Sequence, residues 1–140
     1  MYVCILYTSP PASNLAFQLI SPDKLNIKCD VGKMERVFDN IIRNAVSYSF
    51  PDSTITIEMK EENEGIHIRF ENQGFTIPEE KLNRIFEQFY RLDSSRGTNT
   101  GGAGLGLAIA KEIVELHQGT ISVSSSDDKI EFNIYLPKTL

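Results

Sequence analysis

Cysteine is scarce in this 140-residue sequence: Cys4 and Cys29 are the only two, and neither belongs to a CxxC pair. A disulfide framework is therefore excluded and a reducing compartment expected. Long apolar runs are missing as well. The opening Met1 to Tyr7 is apolar but far shorter than the ~20 residues of a membrane span, and it lacks the basic start of a signal peptide. Pro10 and Pro11 separate it from the remainder of the chain, so residues 1–13 are set apart as an N-terminal segment, either a peripheral strand or the remnant of a longer chain. Basic clusters are absent too. A net charge of −5 with scattered Lys and Arg argues against a nucleic-acid surface, and no direct membrane contact is expected of this domain. The remaining composition, 41% hydrophobic and 24% charged, suits one globular domain with a single core over residues 14–140. No repeat, low-complexity tract or linker divides it.

The most distinctive stretch runs from Thr100 to Ala110, where Gly101, Gly102, Gly104 and Gly106 precede the helical pattern of Leu105, Leu107, Ala108, Ile109, Ile113, Val114 and Leu116. A glycine loop opening a helix offers unpaired N–H groups and the positive end of a dipole, a site for phosphate. The bland alternative is a flexible loop capped by a buried helix. No Lys-Ser/Thr comes after it as in a P-loop, and no apolar strand leads in as in a dinucleotide fold. The polar segment from Arg91 to Thr100, with guanidinium groups at Arg91 and Arg96, reads as a cover able to close over a polyanion.

Alternation at Leu15, Phe17 and Leu19 predicts a strand ended by Ser21-Pro22-Asp23, with a short strand near Ile27 after it. Met34, Val37, Phe38, Ile41, Ile42 and Ala45 have the spacing of an amphipathic helix over 33–48, begun near Asp30 or Gly32 and stopped by Pro51. Ile55, Ile57 and Met59, then Ile66, Ile68 and Phe70, predict a hairpin. Pro78 with Glu79 and Glu80 starts a second helix that turns Leu82, Ile85, Phe86 and Phe89 inward. Gly119 ends the glycine helix, and Ile121, Val123, Ile130, Phe132, Ile134 and Leu136 form a last hairpin around Ser125 to Asp128. The expected architecture is a two-layer α/β sandwich, a mixed, mostly antiparallel sheet with three helices on one face.

Two polar features interrupt the apolar faces. Asn40 and Asn44 lie one turn apart beside the first helix's apolar stripe; they are either ordinary boundary residues or oxygen donors for a cation such as Mg²⁺, which takes the rest of its shell from water and phosphate. Asn72 shares a strand face with Ile66, Ile68 and Phe70; it is either a turn residue ahead of Gly74 or the partner of a ligand such as an adenine amino group.

Four stretches, in this order, resemble the boxes of the catalytic ATP-binding domain of sensor histidine kinases. They are Arg36-Val-Phe-Asp-Asn-Ile-Ile-Arg-Asn-Ala, then Asn72-Gln-Gly74 with Ile77-Pro78 shortly after, then Ile85-Phe-Glu-Gln-Phe-Tyr-Arg91, then Gly102-Ala-Gly-Leu-Gly-Leu107. The wording around Tyr90 and Gly104 is closest to that of the vancomycin-resistance sensor kinases. The resemblance implies the Bergerat fold with ATP and Mg²⁺ as cofactors. Asn44, helped by Asn40, would hold Mg²⁺; Asn72 would read adenine; Tyr48 would pack near the nucleotide, with Gly74, Ile77, Phe89, Leu105 and Leu107 lining it. Arg91 and Arg96 would act with Asn44 on the terminal phosphates, which the amides at Gly102, Gly104 and Gly106 would line. The implied partners are a phosphoacceptor and dimerisation domain, carrying the acceptor histidine, and a response regulator. The implied setting is a monomeric cytoplasmic domain of a membrane-anchored kinase.

The sequence departs from that pattern in three places. Asn72 stands where most members have Asp, and Ser47 where many have a phosphate-contacting Lys. Neither His67 nor His117 lies in a phosphoacceptor motif, so both are expected to be structural or solvated and the acceptor to lie elsewhere. Related gyrase- and MutL-like ATPases carry a water-activating Glu where this chain has Asn40, and an amide is no general base, so transfer is favoured over hydrolysis. An anti-sigma-type serine kinase and a module that binds nucleotide weakly or not at all are the other readings. Because a charged acceptor is stronger by about 1 kcal/mol, Asn72→Asp is expected to bind ATP roughly tenfold more tightly in a calorimetric titration. A variant that binds no tighter removes Asn72 from that role.

Overall fold

The alternating segments are extended in the structure, a computed structural model that describes residues 2–9, 13–90 and 105–138. They form β1 (Tyr2–Ser9), β2 (Ser13–Ile20), β3 (Thr54–Glu62), β4 (Gly65–Gln73), β5 (Thr120–Ser126) and β6 (Lys129–Pro137). One sheet joins them in the order β1-β2-β3-β4-β6-β5. Every junction is antiparallel except β2 with β3. A parallel pair needs a crossover, and the long helix α1 (Val31–Tyr48) supplies it. The β3–β4 and β5–β6 connections are two-residue turns with positive φ, at Asn63 (50°) and Glu64 (60°) and at Asp127 (51°) and Asp128 (57°), the geometry that matches strand twist.

The core lies between one sheet face and the helices. Val37 and Ile41 of α1 and Val114 of α3 (Gly106–Leu116) are fully buried, against Ile68, Phe70, Phe132 and Ile134 of the sheet. Phe38 meets Phe70 edge to face at 5.3 Å between ring centres. Each such fully buried side chain contributes about 1.5–3 kcal/mol. The opposite sheet face is polar. Arg69 there pairs with Glu71 and with Glu58 (3.1 Å), and His67 with Asn133 (2.9 Å). Burial works against the Arg69 charge, but hydrogen bonds to Glu71 and Glu58 outweigh it and raise the guanidinium above its ordinary value. A face so charged takes no second helical layer, and the α/β sandwich has two layers.

Two local expectations are corrected. Residues 21–30 form no strand near Ile27; Leu25 and Ile27 instead pack on the core as the chain climbs to α1. The second helix, α2, is only Glu79–Leu82, and beyond it the bonds tighten to i→i−3 at Arg84, Ile85, Glu87 and Tyr90. Ile85 is buried and Phe86 packs on the core as expected, but Phe89 takes φ 66° and is 68% exposed rather than turned inward. At the end of α3 the left-handed residue is Gln118 (φ 63°), with Gln118 N–H donating to Glu115 O and Gly119 N–H to Val114 O, both at 3.0 Å. Glycine is needed at 119 for space: a Cβ there would collide with the Tyr135 carbonyl and approach Leu136 Cδ2 to 2.9 Å. Gly119→Ala is therefore expected to destabilise by roughly 1–3 kcal/mol. Gln118→Gly is expected to be neutral or stabilising by about 0.5 kcal/mol. Urea denaturation of both variants checks this, and a more damaging Gln118→Gly would overturn the assignment.

Candidate functional site

The site is built on α1 and its contact with α3. Asp30 caps α1, its side chain accepting from Lys33 N–H at 3.0 Å. Asp30 N–H in turn donates to His117 Nε2 at 3.1 Å, while His117 Nδ1 donates to the Ile113 carbonyl at 2.9 Å. The buried ring is therefore neutral, with its proton on Nδ1. This ties the end of α3 to the start of α1. Further along α1, Asn40 Oδ1 lies 3.4 Å from the point that a Cβ on Gly106 would occupy, at the start of α3. The two helices thus run antiparallel, side by side. Asn44, one turn or about 5.4 Å beyond Asn40, projects past the first residue of α3. Among the described residues no side chain caps that first turn, and Leu105 precedes it with its carbonyl accepting from Ile109 N–H at 2.9 Å. The first-turn N–H groups of a helix suit an anion.

The other end of α1 meets the end of β4. A Cβ on Gly74 would collide with the Tyr48 carbonyl, so only glycine lets the strand end pass the helix end. Phe50 N–H donates to Gln73 O at 2.8 Å beside it. Asn72 is 2% exposed and on the inward face, as its alternation with Ile66, Ile68 and Phe70 predicts. Its Nδ2 is buried without a partner among the described residues, and so is Asn40 Nδ2. An unsatisfied buried donor costs about 1–3 kcal/mol.

The β5–β6 turn holds the loop on the C-terminal side of Asn72. Gly74 N–H donates to Asp128 O at 3.1 Å, Thr76 N–H and Oγ1 donate to Asp128 Oδ1, both at 3.3 Å, and Ile77 N–H donates to Ser125 Oγ at 2.9 Å. Ile77 is buried there. Sequence pattern assigns Ser125 and Asp128 only a turn. Nothing local signals their second use, because their partners lie about 50 residues away in the chain.

Of the residues singled out by sequence, Asn40, Asn44 and Gly106 gather where α1 meets the start of α3, and Tyr48, Asn72, Gly74 and Ile77 gather at the far end of α1. Leu107 packs on the core. Phe89 faces solvent. Arg91, Arg96, Gly102, Gly104 and the polar cover lie outside the described residues. Cavities of about 750 and 340 Å³ open elsewhere, one beside Cys29, Met34 and Phe38, the other beneath Leu25 and Ile27. Among the described residues no cluster of three or more His, Cys, Asp or Glu could hold a metal. Mg²⁺ is a cation that accepts a small number of protein oxygens, such as those of amides, alongside phosphate and water. No helix among the described residues is long and apolar enough to cross a membrane.

Residues 29–140 match the family described as histidine kinase-, DNA gyrase B-, and HSP90-like ATPase. The chain is 53% identical over 125 residues to the sensor protein VanSC of Enterococcus gallinarum, covering 89% of this chain and 34% of that protein. It is 42% identical over 112 residues to the sensor histidine kinase WalK of Bacillus subtilis, covering 77% of this chain and 18% of that one. It thus spans about a third or less of the curated relatives it matches. Among solved structures, the catalytic domain of histidine kinase ThkA superposes with a TM-score of 0.74 at 28% identity, covering 89% of this chain and 79% of that one. The mycobacterial sensor histidine kinase MprB superposes with a TM-score of 0.77 at 26% identity, covering 88% and 83%. With four-fifths of its length matched and its fold shared, the chain belongs to the family of histidine kinase-, DNA gyrase B- and HSP90-like ATPases.

Proposed function

We propose that this chain is the ATP-binding catalytic domain of a two-component sensor histidine kinase, moving the γ-phosphoryl group of ATP to a histidine on a phosphoacceptor and dimerisation domain. The observation that carries the reading is the placement of two buried amides whose Nδ2 has no partner among the described residues, Asn40 on α1 and Asn72 on β4. Asn40 stands against the start of α3, and Tyr48, whose carbonyl backs the loop of Asn72, lies eight residues on, about 12 Å along the axis. A nucleotide laid along that edge puts its base at Asn72 and its phosphates at Gly106. Asn72 then pairs with the 6-amino group of adenine, Ile77 and Tyr48 flank the base, and the first-turn amides of α3 take phosphate oxygens. Leu105 and Leu107 carry those amides, and Gly74 keeps the base end open. Mg²⁺, held by Asn44 with help from Asn40, would neutralise charge on the phosphates. Arg91 and Arg96, with the amides of Gly102 and Gly104, complete the phosphate end.

Asn40 also decides between outcomes. A carboxylate there could take a proton from water, whereas an amide cannot, so the γ-phosphoryl is kept for a histidine brought in from outside. His67 bonds to Asn133 and His117 bridges Ile113 and Asp30, so both described histidines are already engaged in structure. The partners on this reading are the phosphoacceptor domain and a response regulator, and the setting is the cytoplasmic face of a membrane-anchored protein, with this domain monomeric by itself.

The test is γ-labelled ATP with Mg²⁺, with and without a cognate phosphoacceptor domain. Label on the acceptor's histidine with little free phosphate is the expected result. Asn44→Ala is expected to slow transfer by roughly 10²-fold while leaving the melting temperature unchanged. Phosphate release without acceptor would make the protein a hydrolase, and no thermal protection by ATP would make it an interaction module.

A further inference from the structure

We propose that Asn72 allows the base site to take 6-oxopurine nucleotides, inosine and guanosine triphosphates, alongside ATP; the inference rests on the nucleotide-binding reading. Two observations meet at this residue. Its position is held: the side chain is 2% exposed, its strand pairs with β3 on one side and β6 on the other, and the loop after it is tied to Asp128 and Ser125. Its orientation is not held: Nδ2 has no partner among the described residues, and no hydrogen bond described for the side chain selects one of the two states related by a 180° turn of the amide. The neighbour on the Nδ2 side is Gly74, which has no side chain to prefer either end; a Cβ there would lie 3.4 Å from Nδ2.

Such an amide reads both kinds of purine edge. Adenine presents a donor at N6, from which Oδ1 accepts. A 6-oxopurine presents an acceptor at O6, and the turned amide meets it with Nδ2 donating to O6. A carboxylate has no donor at neutral pH. Set against O6 it brings lone pairs together, so it favours the 6-amino base. Sites of fixed polarity discriminate strongly because the wrong partner leaves a buried group unpaired, and an amide free to turn escapes that penalty.

The experiment titrates the 140-residue chain, and Asn72→Asp, calorimetrically with ATP, ITP and GTP in the presence of Mg²⁺. For the unmodified chain, the dissociation constants for ATP and ITP are expected to agree within about fivefold. In Asn72→Asp the preference for ATP over ITP is expected to widen by roughly 100-fold, about tenfold gained on ATP and about tenfold lost on ITP. ITP lacks the 2-amino group of GTP. Binding of both supports the inference, whereas binding of ITP with rejection of GTP overturns it for guanosine and keeps it for inosine, with the pocket walls excluding the extra amine. An unmodified chain that prefers ATP over ITP by roughly 100-fold or more overturns it, as does an Asp variant with an unchanged preference. Should the Asp variant fail to fold, the ratio in the unmodified chain decides. If ATP itself does not bind, the nucleotide-binding reading falls and takes this inference with it; if ATP binds and ITP does not, this inference alone falls.

Discussion

The hydrogen bond from Asp30 N–H to His117 Nε2 spans 87 positions of sequence and sets the register of α1 against α3. The whole arrangement of the site depends on that register. With the start of α1 fixed to the end of α3, Asn40 arrives at Gly106 and Asn44 runs past it. A slip of one helical turn would move each amide by about 5.4 Å and put Arg36 or Asn44 in the place of Asn40 beside Gly106. The imidazole suits the task because it accepts on one nitrogen and donates on the other, satisfying a backbone amide and a carbonyl at once.

The same antiparallel pair explains how a largely apolar layer tolerates two asparagines. Val37, Ile41 and Ala45 form the buried stripe of α1, and Asn40 sits at its border where the neighbouring helix begins and packing thins. Asn72 occupies the last inward position of β4, at the rim of the core rather than its middle. The polar residues of the opposite sheet face, Arg69 with Glu58 and Glu71 and His67 with Asn133, satisfy one another and leave nothing comparable.

The β5–β6 turn shows how a hairpin far along the chain can support a site it does not line. Asp127 and Asp128 adopt left-handed backbone, which short polar residues tolerate, and that turn aims the Asp128 carboxylate at Thr76 while Ser125 accepts from Ile77 N–H. The loop between β4 and α2 (Glu79–Leu82) is thereby pinned from the side opposite α1.

Periodicity by itself determined strands β2 to β6, α1, the apolar run of α3 and the inward placement of Asn72, because burial of one face imposes a period of two or 3.6 whatever the topology. The order of four short motifs was enough to name the family. Tertiary structure alone decided the rest. That residues 2–9 form an edge strand depends on their pairing with β2, and that Gly119 is present for space depends on the Tyr135 carbonyl of a later strand. The outward Phe89, the role of His117 as a strut and the grip of Asp128 on Thr76 each arise from contacts between segments far apart in sequence. Local pattern reports which face of an element is apolar; it carries no information about which distant group will stand opposite.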